Sequence, residues 1–263
     1  KLFIETHKRP KRKTWKDDVQ RHDLYLTKWS NRKLRSITRP DVVAMHNSVM
    51  AKTSRATANR VLSLISAVFN RTTDPGYNPA KGVERFCEVA RQRYLTQDEV
   101  ATLLEAIGAE QAIVADLFHI LLFTGQRRGN VMAMKWSAIN LEAKTWRIAG
   151  ETTKNGEPII VPLLPHAVEI LIRRKADAKA NDEFVFPTWS KSGHISQPSA
   201  AWYRIVTRAG MNDAKGKPTI RIHDLRRTHA SWLAMSGASA SVVKAAMNHR
   251  SITTTMNVYA MVN

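Results

Sequence analysis

A chain of 263 residues suits one large or two modest domains, and its 43% hydrophobic content argues against wholesale disorder. Its 41 lysines and arginines exceed its 22 acidic residues by 19, and so strong a basic excess favours nucleic acid over a membrane surface as the partner. The lone cysteine, Cys87, excludes an internal disulfide and a cysteine-rich metal site, and no apolar run reaches the ~18–20 residues that span a bilayer.

The first ninety residues contain the patterns of three helices. A helix-start signal at Thr14 follows a basic run, another lies near Thr38, and helical periodicity continues from Ser54 to about Arg71. In the first helix, the residues predicted to face inward are Trp15, Val19, His22, Leu24, Tyr25 and Trp29.

The basic faces of these helices predict contacts to DNA, with lysine and arginine on phosphates. A helical packing or dimerisation module is the alternative. The predicted DNA-binding residues are Lys11, Arg12, Lys13, Lys52, Arg55, Asn59 and Arg60. Residues 89–95 are predicted to form a polar linker, which separates a helical domain of residues 1–88 from a second domain of residues 96–263.

The second domain begins with a capping box at Thr96–Glu99, followed by a nearly all-apolar segment, 112–123, that predicts a core helix. His119 within it is predicted to be a core residue rather than a catalyst. The Thr124-Gly125 break then places Arg127, Arg128 or both at a helix N-terminus beside the core. A buried arginine is costly unless a carboxylate or an anion pairs with it, so a structural salt bridge and a phosphate clamp both stay open.

Strand patterns follow at 145–148 and 158–163, and Asn155-Gly156 between them predicts a hairpin turn with Lys154 at its tip. A turn lysine is usually solvated, but an ammonium that leans over a phosphate can protonate a leaving oxygen. Amphipathic helices are predicted at 165–179 and 197–210, with a short buried strand or turn at 184–187 between them.

Residues 221–259 combine three histidines, arginines and a late tyrosine in short helical segments. Arginine can hold a phosphate, histidine can move a proton, and a tyrosine hydroxyl can attack. His223 and Arg226 are three residues apart and so share a helix face. For each residue alone a packing or capping role is the simpler interpretation, and no HxxxH or HExxH spacing supports zinc.

Five motifs in order resemble the tyrosine recombinase (phage integrase) family: Thr124-Gly125-Gln126-Arg127, Lys154, His223-Asp224-Leu225-Arg226, His249 and Tyr259. Residues 247–259 are similar to the family pattern LGHxSixTTxxYxH, and the chain is most like integrases of prophages and genomic islands. The resemblance covers nearly the full length. It implies a mainly α fold, with a helical core-binding domain and an α+β catalytic domain that carries a small antiparallel sheet.

The resemblance also implies a site-specific recombinase that integrates or excises a mobile element through a 3′-phosphotyrosine. The implied catalytic residues are Arg127, Lys154, His223, Arg226, His249 and the nucleophile Tyr259. No metal or cofactor is expected. The expected partners are double-stranded DNA attachment sites, further copies in a homotetramer on synapsed DNA, and DNA-bending accessory proteins, and the expected location is the bacterial cytoplasm, away from the membrane.

The chain departs from the family pattern at three places. Asn130 replaces an acidic residue, Ser137-Ala138-Ile139 stands where the family's W-x-D-I segment has an aspartate, and Met247-Asn248 replaces Leu-Gly, but no catalytic group is lost. An arm-binding domain, which many such integrases carry, would precede Lys1, and a docking tail would follow the tyrosine. Two other functions stay open, namely DNA relaxation of the type IB topoisomerase kind and DNA-binding regulation without catalysis.

Overall fold

The chain divides into two units, Lys1–Arg91 and Gln92–Asn263. The structure, a computed structural model, describes residues 3, 5–6, 15–72, 76–89, 91–150, 157–248 and 251–262. The division falls inside the stretch predicted as a linker, but Leu95 already lies in the core of the second unit. It is fully buried, and its N–H donates to the Thr228 hydroxyl at 2.9 Å.

In the described part of the first unit, three α-helices surround an apolar core. They are α1 (Trp15–Arg21), α2 (Arg39–Lys52) and α3 (Arg55–Thr72), with 3₁₀ turns at Thr27–Trp29 and Leu34–Ser36. Thr38 caps α2 as predicted, because the Asp41 carboxylate accepts from the Thr38 N–H at 2.9 Å while the Thr38 hydroxyl accepts from the Asp41 N–H. The helices α2 and α3 pack against each other.

The first helix ends earlier than its sequence pattern predicts. At His22 the chain passes from α1 into a π-helical turn that ends at Leu26. A π-turn has a longer period than an α-helix and therefore rotates the inward face. As a result, Leu24 is 62% exposed, and the prediction that it faces inward is wrong, whereas Leu26 is 8% exposed in the core.

The second unit is organised around α5 (Ala112–Thr124), which is buried along most of its length, as predicted. The helices that pack on α5 are α4 (Gln97–Gly108), α6 (Arg128–Met132), α7 (Pro165–Asp177) and α9 (Ile222–Met235). The remaining helices are α8 (Ser199–Arg208) against α4, and α10 (Ala240–Ala246) and α11 (Ile252–Val262) against α9. His119 of α5 is half-buried and stacks on Phe123, with ring centroids 5.8 Å apart.

A small antiparallel sheet with the order β1-β2-β3 completes the second unit. Its strands are β1 (Ile139–Asn140), β2 (Thr145–Ile148) and β3 (Ile159–Pro162). Trp146 of β2 pairs with Val161 of β3, and both side chains are buried, whereas Arg147 and Ile160 face outward. The mainly α fold with a small antiparallel sheet confirms the predicted fold class. None of the helices in the described ranges is long and apolar enough to cross a bilayer.

Candidate active site

The turn between α5 and α6 places Arg127 beside the core. Gly125 ends α5 in the left-handed region, at φ 59°, and its N–H donates to the Leu121 carbonyl at 3.1 Å. Arg127 is the residue immediately before α6, and Arg128 is the first residue of that helix. The prediction that an arginine lies at a helix N-terminus after the glycine break is therefore confirmed.

Arg226 reaches the same turn from α9. It is 6% exposed, and its Nη1 donates to the Gly125 carbonyl at 2.8 Å while its Nη2 donates to the Met247 carbonyl. Arg127 Nη2 donates to the next carbonyl along the chain, that of Asn248, at 3.0 Å. Both guanidinium groups are thus anchored on consecutive carbonyls that follow α10.

The position at which the family pattern has glycine is occupied by Asn248, and its backbone lies in the left-handed region at φ 45°. Asparagine is one of the few residues other than glycine that adopt this region readily. The substitution therefore keeps the turn that presents the Met247 and Asn248 carbonyls to the two arginines.

Most arginines with a partner in the second unit are bound to carboxylates. These pairs are Arg93 with Glu99, Arg173 and Arg174 with Asp116, Arg204 and Arg208 with Glu110, and Arg227 with Asp224. Within the described ranges, no carboxylate forms an ion pair with Arg127 or Arg226, and Arg127 Nη1 is buried without a hydrogen-bond partner. This difference separates the two arginines from those that stabilise the fold.

The missing counter-ion has an electrostatic cost. Burial, with the positive charge of Arg127 added, lowers the pKa of Arg226 to about 9, and burial also lowers the pKa of Arg127. A half-buried and a buried cation that lie together without a carboxylate are stabilised when an anion binds to both. Of the two interpretations that the sequence leaves open for Arg127, the geometry favours an anion site over a structural salt bridge.

His223 lies in the first turn of α9 and keeps an exposed edge. Partial burial lowers its pKa below the usual 6.5, the charges of Arg226 and Arg227 lower it further, and Asp224 opposes them. The imidazole is therefore neutral at neutral pH. A neutral imidazole beside an anion site can accept a proton.

Tyr259 lies on α11 with its ring half-buried. The ring belongs to a small cluster formed by Ala230, Ala234, Val243, Met247 and Val258. Its hydroxyl donates to the Ala238 carbonyl, in the turn between α9 and α10. Among the residues that the structure describes, that carbonyl is the partner of the hydroxyl, rather than either arginine or His223.

Several predicted site residues lie outside the described ranges. They are Lys154, His249, Lys11, Arg12 and Lys13. Their roles stay predictions.

Asn59 does not present its side chain to DNA, and that prediction is corrected. It is 3% exposed, its Nδ2 donates to the Phe86 carbonyl at 2.9 Å and to Glu88 Oε1 at 2.7 Å, and its Oδ1 accepts from the Phe86 N–H at 3.1 Å. His46 Nε2 lies 3.1 Å from the same Oδ1. The hydrogen bonds of this amide hold the extended segment 86–88 against α2 and α3.

Three other predicted DNA contacts of the first unit lie in the described ranges and face solvent. Lys52, Arg55 and Arg60 are exposed, and Arg55 Nη1 donates to the Cys87 carbonyl at 3.3 Å. They remain available for phosphates, and their DNA contacts stay predictions.

Two side chains support the arginine turn, of which the sequence reasoning missed Gln126 and took His229 for a structural or DNA-backbone contact. Gln126 is 1% exposed, and its Nε2 donates to the Ala246 carbonyl at 2.9 Å, which ties the arginine turn to the end of α10. His229 has its Nδ1 3.0 Å from the Leu122 carbonyl, and its ring covers Gly125. The only available signal was that Gln126 stands next to Arg127 in the motif.

Gly125→Ala is expected to lower the free energy of unfolding of the second unit by about 2–4 kcal/mol, from left-handed strain and overpacking together. A β-carbon at this position would lie 2.7 Å from His229 Cδ2. Denaturant unfolding measures the effect. The matched control is Gly129→Ala, because Gly129 lies in α6 with open space around it. The free energy of unfolding of that variant should be unchanged or slightly higher. Equal stability of the two variants would contradict the packing argument.

A helical fold with two arginines that lack carboxylate partners in the described ranges, a neutral histidine and a late tyrosine is typical of the tyrosine recombinase class. The chain belongs to the phage integrase family, which it matches over residues 93–263. It is 29% identical over 166 residues to the integrase of Salmonella phage P22, an alignment that covers 59% of this chain and 40% of that protein.

Two further comparisons agree with this membership. The chain is 28% identical over 184 residues to tyrosine recombinase XerD of Mycobacterium leprae, with 64% of this chain and 56% of that protein covered. A lambda integrase dimer bound to a COC′ core site shares the fold, with a TM-score of 0.79 at 21% identity over 98% of this chain and 75% of that one. The chain thus spans about half the length of the two relatives that are compared by sequence.

Proposed function

We propose that this chain is a site-specific DNA recombinase that cleaves and rejoins duplex DNA through a 3′-phosphotyrosyl intermediate, and so integrates or excises a mobile element. The observation that carries the proposal is the pair of half-buried Arg127 and buried Arg226, which has no carboxylate partner within the described residues. Two guanidinium groups match the non-bridging oxygens of one phosphodiester. Family membership and the net charge of +19 support DNA as the substrate.

In the proposed reaction, the Tyr259 oxygen attacks phosphorus and the bond from phosphorus to the 5′-oxygen breaks. His223 accepts the tyrosine proton, Lys154 protonates the departing 5′-oxygen, and His249 donates to a phosphate oxygen. One phosphoester forms as another breaks, so no external energy source is required. Attack by the 5′-hydroxyl of a second strand reverses the chemistry and completes the exchange.

The hydroxyl of Tyr259 donates to the Ala238 carbonyl. Cleavage therefore requires that bond to be exchanged for a position in line with the 5′-oxygen. Such a shift of Tyr259 would also change the packing of α11 against α9 and α10.

The proposed assembly is a homotetramer on two synapsed sites, with residues 1–88 as a DNA-binding domain and residues 96–263 as the catalytic domain. A lambda integrase tetramer bound to a Holliday junction has the same fold, with a TM-score of 0.75. The exposed Lys52, Arg55 and Arg60 support DNA binding by the first unit.

The test uses nicked suicide substrates that carry the ends of the mobile element encoding the chain. We expect SDS-resistant protein–DNA adducts at a defined sequence, free 5′-hydroxyl ends, and a nucleotide-modified peptide that contains Tyr259. Absence of adducts on every element end would overturn the proposal and leave DNA binding without catalysis. Relaxation of any supercoiled plasmid, without a site requirement, would instead favour the topoisomerase alternative.

The cleavage rate is expected to hold its plateau below pH 6.5, because His223 must be neutral to accept a proton and its pKa is lowered. Arg227→Gln removes a charge that lowers this pKa and frees the Asp224 carboxylate that raises it, so the acid limb should move to higher pH. Single-turnover rates of adduct formation between about pH 5 and pH 8 measure the acid limb of the unmodified chain and that of Arg227→Gln. Lys217→Gln, at an exposed loop position, is the control, and an unmoved limb in Arg227→Gln would argue against His223 as the base.

A further inference from the structure

Trp189 is a large apolar side chain that the fold leaves fully in solvent. It is 100% exposed, at the tip of a loop formed by residues 187–194, which is called the Trp189 loop below. The loop follows Phe186, which is fully buried in the core of the second unit. An indole of this size has a large contact area and few rotatable bonds, which suits it to recognition.

Hydrogen bonds among its own residues hold the loop in shape. The Thr188 N–H donates to the Gly193 carbonyl at 3.1 Å, and the Gly193 N–H donates to the Ser190 carbonyl at 2.8 Å. The Ser190 and Ser192 hydroxyls both donate to the His194 carbonyl, at 3.1 and 2.9 Å. These bonds do not involve the indole, so the loop holds its shape while presenting Trp189 outward.

Lysines surround this aromatic tip. Lys179 Nζ lies 5.9 Å from the centroid of the Trp189 ring, and Lys191 is an exposed residue of the loop itself. The loop therefore combines an exposed indole with an ammonium group near its ring and a second exposed lysine.

The acidic residues nearby do not form ion pairs with Lys179 or Lys191 in the described ranges. Glu183 pairs with Lys135 at 2.6 Å, and Asp182 accepts from the backbone N–H of Lys179 at 2.9 Å. Asp177 is exposed at the end of α7. In the part of the chain that the structure covers, no carboxylate forms an ion pair with Lys179 or Lys191.

We infer that the Trp189 loop is a DNA-binding surface that grips duplex DNA flanking the cleavage site. Lys179 and Lys191 contact backbone phosphates, and the indole of Trp189 packs against deoxyribose and base edges. An aromatic platform among cations is the combination that nucleic-acid sites use, and a preformed loop limits the entropy lost on binding. The inference rests on the proposed function, which supplies DNA as the substrate.

The experiment measures binding of the full chain to a duplex that carries an element end, by fluorescence anisotropy across a range of salt concentrations. Trp189→Ala is expected to weaken binding about tenfold, as loss of an aromatic contact does, with little change in the salt dependence. Lys191→Ala should reduce the slope of log Kd against log salt by about 0.9, because one phosphate contact is lost. Tyr203→Ala, an exposed aromatic of α8, is the matched control and should leave both quantities unchanged.

Wild-type affinity and salt slope in both loop variants would overturn the inference. So would unchanged DNA affinity combined with weaker self-association in sedimentation, which would assign the loop to a protein contact. Adduct formation by the unmodified chain on suicide substrates tests the proposed function separately. If the unmodified chain forms adducts and Trp189→Ala binds DNA with normal affinity, only the role of the loop is rejected. If Trp189→Ala loses affinity tenfold but the unmodified chain forms no adducts, only the recombinase function is rejected.

Discussion

Tyr259→Phe is expected to abolish covalent protein–DNA adducts on a suicide substrate while leaving DNA affinity unchanged. The substitution removes the nucleophilic oxygen and keeps the ring, which packs in the cluster that contains Val243, Met247 and Val258. The fold loses one hydrogen bond, from the hydroxyl to the Ala238 carbonyl, at a cost of about 1 kcal/mol in the free energy of unfolding. SDS gels measure the adduct, and anisotropy measures the affinity.

Loss of adducts by Tyr259→Phe has meaning only if the variant stays folded. Its unfolding midpoint should therefore lie close to that of the unmodified chain. Tyr203→Phe serves as the control for removal of a tyrosine hydroxyl, because Tyr203 is exposed on α8 and donates to the Gly216 carbonyl at 3.4 Å. That control should form adducts at the normal rate. Adducts at the normal rate in Tyr259→Phe would assign the nucleophile to another residue.

The helices were accessible to sequence reasoning because their signals are local. Thr96 with Glu99 forms the capping box that the pattern predicts, α2 begins directly after Thr38 as its start signal predicts, and the all-apolar segment becomes the buried α5. The two-residue strand β1 carries no alternation that a pattern can register. The exposure of Leu24 depends on a π-turn, which periodicity read at 3.6 residues per turn does not anticipate.

The site residues also divide into those with a local sequence signal and those whose setting depends on distant contacts. The order of the motifs predicts Arg127, His223, Arg226 and Tyr259 as site residues, but it left open whether Arg127 pairs with a carboxylate or an anion. The geometry that favours an anion depends on contacts between residues distant in sequence, such as Arg127 Nη2 with the Asn248 carbonyl, 121 positions away. The prediction for Asn59 was wrong for a related reason. Its burial depends on the segment around Phe86, whose backbone forms hydrogen bonds with the Asn59 amide.

Arg226→Lys is expected to slow adduct formation about 10²–10³-fold, which corresponds to ~2.7–4 kcal/mol of lost transition-state stabilisation. The guanidinium of Arg226 donates to the Gly125 and Met247 carbonyls with its two terminal nitrogens and lies beside Arg127. Lysine keeps the charge, but a single ammonium cannot reproduce a planar fork that holds two carbonyls and a phosphate together. Alanine is less informative, because it removes the charge as well and leaves both buried carbonyls without their donor.

Single-turnover rates at saturating DNA, with the affinity measured separately, distinguish loss of chemistry from loss of binding. DNA affinity of Arg226→Lys should change little, since net charge is unaltered and one phosphate contact is a small part of the whole interface. Arg227→Lys is the control, because Arg227 pairs with Asp224 at 2.8 Å and a lysine can keep that ion pair. Burial that lowers the pKa of Arg226 to about 9 also removes the water that would screen it from a phosphate. If Arg226→Lys cleaved at the full rate, charge alone would suffice, and the two carbonyl anchors would serve the fold rather than the transition state.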